Sequence, residues 1–302
     1  MVSLESLVGN DALRARLRDA VAAGRVSHAY ILEGPEGVGK RSLALGFASA
    51  LLCAEGSGVP CGRCSHCRRS AHPDLSVIEG EGKSGAVKVA AIRALRADAY
   101  IRPNEAERKV YIIDHAETMR AEAQNALLKI FEEPPAYAVI ILLTASLPAI
   151  LPTLRSRAVT LSVRPLTVEE TAAALQRLTK KRGPELLEAA EHSGGRISYA
   201  LELLTDKRTK EAAKLAEEFR AALPGELYTL LTFAPRAAAN RDLFEAFLSQ
   251  LYQQMATEAG LTNLSAVHIM EKIIEIRQKL EGNGNLSLLA HCFCLDCWEA
   301  AH

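Results

Sequence analysis

The sequence has no net charge to offer a polyanion: thirty-six Lys and Arg are balanced by thirty-six Asp and Glu. No global field draws the molecule onto nucleic acid or an anionic membrane, so any DNA contact must be local or shared with partners. No stretch of eighteen apolar residues occurs, and the amino terminus has no apolar signal-peptide core, which leads to an expectation of a cytoplasmic protein with no membrane partner. Repeats, low-complexity tracts and Gly/Ser linkers are missing too, so the domains are expected to meet through packed helices. What is present is 302 residues, 49% of them hydrophobic, enough for two or three ordinary cores. Seven cysteines in a reducing compartment point to metal ligation or core packing before disulfides.

Apolar runs alternate with helical spacing through the first half. "AYILEG" (29 to 34) reads as a strand entering a glycine loop, and a helix follows from Lys40 to Cys53 through Leu43, Phe47, Ala50 and Leu51. Further strands are expected at "DLSVIEG" (74 to 80), "KVYIIDHA" (109 to 116) and "AVIILLTA" (138 to 145). Helices are expected at "VAAIRALRADAY" and at "MRAEAQNALLKIFEE" (119 to 133), the latter closed by Pro134 and Pro135. Strands this apolar, separated by helices, imply an α/β fold with a parallel sheet covered on both faces. From about Pro165 the pattern is almost wholly helical, beginning with a Thr cap at Thr167. The expected organisation is an α/β core over residues 1–165, a small helical unit over 166–208 and a helical domain over 209–302.

The loop "GPEGVGKRS" has the spacing of a P-loop, with Gly34, Gly39 and Lys40 in register, but Arg41 stands where a hydroxyl should hold magnesium. Strand, loop and helix in that order give backbone N–H groups and a helix dipole aimed at phosphates, with Lys40 reaching the outer ones. Ser42 is no substitute, because one residue along a helix is a rotation of about 100°. At the end of the "VYIID" strand, Asp114 stands where a carboxylate would hold the metal. The next residue is His115, where an ATPase of this type places the glutamate that activates water. Nucleotide binding is therefore expected to be weak or absent, and metal-assisted hydrolysis badly impaired.

In "CAEGSGVPCGRCSHC", Cys53, Cys61, Cys64 and Cys67 have the spacing C-x7-C-x2-C-x2-C, a compact knuckle opposite one ligand from the end of the preceding helix. Four thiolates leave no open position for water, so the expected ion is a structural Zn²⁺, with His66 the less favoured ligand. Cys292, Cys294 and Cys297 lie in a helical pattern and read as small core hydrophobes.

Together, "HAYILEGPEGVGKRSLA", the inserted knuckle, "VYIIDHAETMRAEAQNALLKIFEEPP" and "LPTLRSR" resemble the bacterial DNA polymerase III clamp-loader subunits of the AAA+ class, over roughly residues 1 to 204. The resemblance implies an AAA+ core followed by an all-helical lid and an all-helical collar that carries the oligomer contacts. Two kinds of subunit share this layout, the gamma/tau motor and the delta-prime subunit. The motor likeness fails at Arg41 and His115, and again where the motor's lid arginine aligns with Ser198, leaving the displaced Arg196. Delta-prime subunits are similar in tolerating a degraded nucleotide site. The implied role is a structural member of the ring, with gamma/tau and delta subunits as partners and contact with the sliding clamp and primer-template DNA through the complex. A divergent gamma/tau-like ATPase is the alternative.

In that family a serine-arginine-cysteine motif sends an arginine finger into the neighbouring subunit's ATP site. Here Ser156 and Arg157 match and Ala158 replaces the cysteine, so the resemblance makes Arg157 the expected finger, with Arg155 and Arg164 as nearby alternatives. Thr144 falls where a sensor residue would face the γ-phosphate.

Overall fold

The computed structural model describes residues 3–69, 71–80, 85–258, 264–282 and 284–302. The chain divides into two compact units, Met1–Ala200 and Leu201–His302.

In the first unit, α1 (Asp11–Ala22) precedes β1 (Ala29–Glu33), the glycine loop, α2 (Lys40–Leu51) and the short α3 (Ser65–Arg68). Next come β2 (Leu75–Ile78), α4 (Val89–Ala99), β3 (Lys109–Ile113), α5 (Ala121–Glu132) and β4 (Ala138–Thr144). The remainder is α6 (Pro152–Arg155), β5 (Val159–Ser162), α7 (Val168–Thr179), α8 (Pro184–His192) and α9 (Ile197–Thr205), inside which the division between units falls. The strands form one five-stranded sheet in the order β2-β3-β4-β1-β5, every pairing parallel. β5 had no counterpart among the expected strands: it is a four-residue edge strand with only Leu161 buried, too short and too mixed for a periodicity to show.

Two-residue alternation sorts the strand side chains onto two cores. Tyr30, Leu32, Val110, Ile112, Val139 and Ile141 pack with Leu43, Ala44 and Phe47 of α2 on one face. On the other, Ala29, Ile31, Tyr111, Ile113, Ile140 and Leu142 pack with Ile92 and Leu95 of α4 and Leu127, Ile130 and Phe131 of α5. α7 begins with the expected Thr cap, which is a full capping box: Glu170 N–H donates to Thr167 Oγ1 at 3.2 Å and Thr167 N–H to Glu170 Oε2 at 2.9 Å.

Because all five strands run the same way, their carboxyl ends share one edge. Glu33 pairs with Thr144, and β3 ends beside them at Ile113. The glycine loop, Asp114 and Thr144 therefore emerge together, at the edge where open parallel sheets bind ligands.

The second unit is helical: α10 (Lys207–Ala222), α11 (Leu227–Leu231), α12 (Phe233–Ala237), α13 (Arg241–Glu258), α14 (Leu264–Glu281) and α15 (Leu286–Ala301). Its core gathers Phe219, Phe233, Phe244, Phe247 and Phe293, with Phe219 and Phe247 edge-to-face at 5.5 Å. Cys294 and Cys297 belong to this core as expected, but Cys292 is exposed. Two residues along a helix turn a side chain to nearly the opposite side, so Cys292 cannot share the buried stripe of Cys294.

Candidate functional site: a glycine loop, a thiol cluster and an arginine segment

Gly34 leaves β1 so close to β5 that a Cβ there would meet Val163 O at 2.3 Å, and Gly39 enters α2 with φ 94°. Both positions require glycine. The backbone N–H groups of Gly37, Val38 and Gly39 have no acceptor among the described residues, which leaves the loop amides open. The charged groups around them are not open. Lys40 Nζ turns back to donate to Gly34 O at 2.6 Å and Pro35 O at 2.9 Å. Burial lowers the Lys40 pKa below its ordinary value, opposed by the carboxylates of Glu117, Glu36 and Asp114. An incoming phosphate would face those three acids as well as the lysine.

Arg41 is ion-paired to Glu79 and reaches Asp114, with Nη1 3.5 Å from Oδ2. Asp114 also accepts the His115 N–H at 3.0 Å. The acid that would receive a divalent metal already holds a cation carried by the loop's own helix. Ser42, one residue on, faces an apolar pocket with Val8, Leu43, Leu166 and Ile197, away from Asp114 as helix rotation requires. His115 sits in the left-handed region (φ 49°), its Nδ1 3.3 Å from Glu117 Oε1. Thr144 is fully buried, and its hydroxyl is spent on its own turn, donating to Ser146 O at 3.0 Å and accepting from Ser146 N–H at 3.1 Å.

The start of α9 closes onto the same loop. Ser198 N–H donates to Gly37 O at 3.2 Å. Arg196 lies alongside, its Nε donating to Ser193 O at 3.1 Å and its guanidinium 5.2 Å from the Tyr199 ring. Ser198 brings no charge to the loop, and Arg196, whose stem lies beside Gly37, is held by these local contacts.

The four knuckle cysteines converge: the Sγ atoms of Cys53, Cys61, Cys64 and Cys67 all lie within 4.8 Å of one another. A tetrahedral Zn–S site with 2.3 Å bonds has its sulfurs about 3.8 Å apart, a spacing compatible with this cluster. Backbone N–H groups already point at sulfur: Cys61 to Cys53 at 3.4 Å, Cys64 to Cys61 at 3.3 Å and Cys67 to Cys64 at 3.4 Å. These donors suit thiolates. Burial raises the Cys64 thiol, but the N–H groups of Ala54 and Cys67 and the neighbouring thiols outweigh it and bring it down to about 6. Cys67 is pushed up to about 12, by burial first and then by its sulfur neighbours. Thiols this close cannot all ionise unless a cation joins them. The residues present therefore fit a four-thiolate metal site. His66 stands outside the set, with Nδ1 2.8 Å from Leu52 O and its ring edge-on to His72 at 4.8 Å.

Arg157 follows α6 on the outer surface. Its Nη1 donates to Thr153 O at 3.0 Å and Ser156 Oγ at 3.4 Å, and Nη2 lies 3.2 Å from Glu132 Oε1. Arg164 is clamped by both oxygens of Glu170, at 2.8 and 2.6 Å. Two residues in this framework escaped sequence reasoning. Gln124, buried on α5, donates to Met119 O at 3.1 Å and Ala149 O at 2.9 Å and accepts Leu151 N–H at 2.8 Å, fixing the start of α6. Asp74, whose side chain is 0% exposed, accepts the N–H groups of Asn104, Glu105 and Ala106 at 2.6, 2.9 and 2.9 Å.

Residues 9–167 match the family described as DNA polymerase III, delta subunit. The chain is 39% identical over 153 residues to the DNA polymerase III subunit delta' of Bacillus subtilis, covering 50% of this chain and 46% of that protein. It is 36% identical over 185 residues to the gamma/tau subunit of Mycobacterium bovis, covering 60% of this chain and 32% of that one. The matched stretch thus spans less than two thirds of the length of either relative. Among solved structures, a DNA polymerase III gamma-subunit-related protein from Thermotoga maritima aligns with 97% of this chain and 99% of its own at TM-score 0.51 and 19% identity. At that identity the likeness shows a shared fold alone.

Proposed function

The chain belongs to the DNA polymerase III delta-subunit family, and from that premise we propose that it is a delta-prime-like structural subunit of a clamp loader, assembled with gamma/tau and delta subunits. In that assembly it helps place a sliding clamp on primed DNA without turning over ATP itself. The observation that carries this reading is the Arg41–Asp114 contact: the position that should receive Mg²⁺ is held by a fixed internal cation, with no hydroxyl beside it. Open amides at Gly37, Val38 and Gly39 favour the second reading, a divergent gamma/tau-like ATPase. Against it stand the acids around Lys40, the absence of a metal-holding hydroxyl, and His115 in place of a catalytic glutamate.

The contribution to hydrolysis is made in trans. Arg157, exposed on the outer surface, supplies a planar cation to the phosphoryl group reacting in the neighbouring subunit, where charge builds on the transferred oxygens. Residues 166–208 form the lid, and residues 209–302 the collar that carries the oligomer contacts. The thiol cluster holds a structural Zn²⁺; with four sulfur ligands there is no open coordination position for catalysis. The protein works in the cytoplasm.

The test is ATP hydrolysis stimulated by DNA and clamp, measured on the complex rebuilt with wild-type, Arg157→Ala or Arg157→Lys chain, with assembly checked by gel filtration. Single fingers are worth about 10³ to 10⁵ in rate at an isolated site; the whole ring loses less, because its other sites keep their own arginines. Lysine, a point charge without the planar fork, does not rescue. Equal rates with intact assembly would leave Arg157 a surface cation.

A further inference from the structure

Resting on the reading of Arg157 as a finger, the geometry points to Glu132 as the residue that positions it. A guanidinium carries five N–H donors in one plane. Nη1 donates to Thr153 O and Ser156 Oγ, and Nη2 is ion-paired with Glu132 Oε1. The Nε–H and the Nη2 hydrogens have no hydrogen-bond acceptor among the described residues, which leaves them for the oxygens of a phosphoryl group presented from outside.

Two of the three tethers are local, from α6 and its cap, and follow wherever that segment goes. Glu132 is different: it is the last residue of α5, and it holds the guanidinium from a separate element. The same α5 fixes the start of α6 through Gln124, so one rigid helix locates both the backbone that carries Arg157 and the charge at its tip. A long side chain loses rotamer freedom on meeting phosphate, and one already held loses less. Glu132 touches neither nucleotide nor phosphate in this scheme; it is a positioning residue.

The experiment uses the rebuilt complex and reads kcat and KM for ATP with wild-type, Glu132→Ala, Glu132→Gln, Arg157→Ala and the Glu132→Ala/Arg157→Ala double variant. Glu132→Ala is expected to lower kcat by about 1.5- to 5-fold with KM unchanged, the range of a partly exposed ion pair. Glu132→Gln, which keeps an oxygen acceptor, retains more of the rate than Ala. In the Arg157→Ala background, Glu132→Ala costs nothing further, because the side chain it positions is gone. An Arg157→Ala complex that is slow while Glu132→Ala is normal or faster overturns this role and leaves the finger reading standing. The same loss in both backgrounds makes Glu132 a structural residue and overturns it too. A normal Arg157→Ala complex removes the finger reading and this role with it.

Discussion

Arg41 Nη1 stands 3.5 Å from Asp114 Oδ2, joining the first turn of α2 to the end of β3 by charge where related nucleotide sites join them through a metal ion. A divalent cation entering here would meet a like charge and an acid already in use. One substitution therefore alters both halves of the metal site, since it removes the hydroxyl and occupies the carboxylate.

The purified chain is expected to show no magnesium-dependent ATP turnover above background, and Lys40→Ala is expected to leave the assembled complex nearly unchanged. Arg41→Ser frees Asp114 and restores a hydroxyl, so titration with a fluorescent nucleotide should show a roughly tenfold gain in affinity, equivalent to about 1.4 kcal/mol, appearing only with magnesium. Robust hydrolysis by the wild-type chain, abolished by Lys40→Ala, would favour the motor reading.

Zinc content is the second expectation. Mass spectrometry of purified protein should find one equivalent, and Cys64→Ser should lose it together with more than about 5 °C of thermal midpoint, because ion binding and folding of the knuckle are one free energy. Metal-free protein with the wild-type midpoint would dismiss the ion and leave four reduced thiols.

Asp74 supplies a pH dependence. Burial raises its pKa, but the N–H groups of Ala106, Asn104 and Glu105 outweigh burial and hold the carboxyl below its ordinary value. A depressed folded-state pKa gives stability that is present above the unfolded value and lost as pH falls through the folded one. Urea midpoints should fall on acidification below about pH 4, and Asp74→Asn, which removes the charge, should be less stable at neutral pH and flatter through that window. A variant with the wild-type slope would place the acid sensitivity elsewhere.

Much of this is legible in the sequence itself. The central strands are continuous apolar runs, and the helices between them carry their own punctuation, such as Thr167 at a cap and Pro134 at a stop. The thiol set was legible because all its members fall within one short loop. The weakly buried edge strand Val159–Ser162 was not. Asp74 and Gln124 were illegible for another reason: most of their partners are main-chain groups 25 to 32 residues away, and a side chain chosen to bind backbone leaves no complementary residue to find. Arg41 stood out at once as a departure from a pattern, yet only the fold brings Glu79 and Asp114 to it.

The order of the strands also sets an order in time. β1 lies between β4 and β5, both made more than a hundred residues after it, so on a chain emerging from the ribosome β1 has no neighbour until most of the sheet has been synthesised. The glycine loop, suspended between β1 and α2, waits with it. The cysteine loop is complete once Cys67 is out, and closing so short a loop costs little chain entropy. During that interval α2, whose end leads directly into Cys53, can be anchored at its carboxyl end by the thiol cluster while its amino end has no sheet to meet, which makes the knuckle an early fixed point beside a strand that is paired only once β4 and β5 are made.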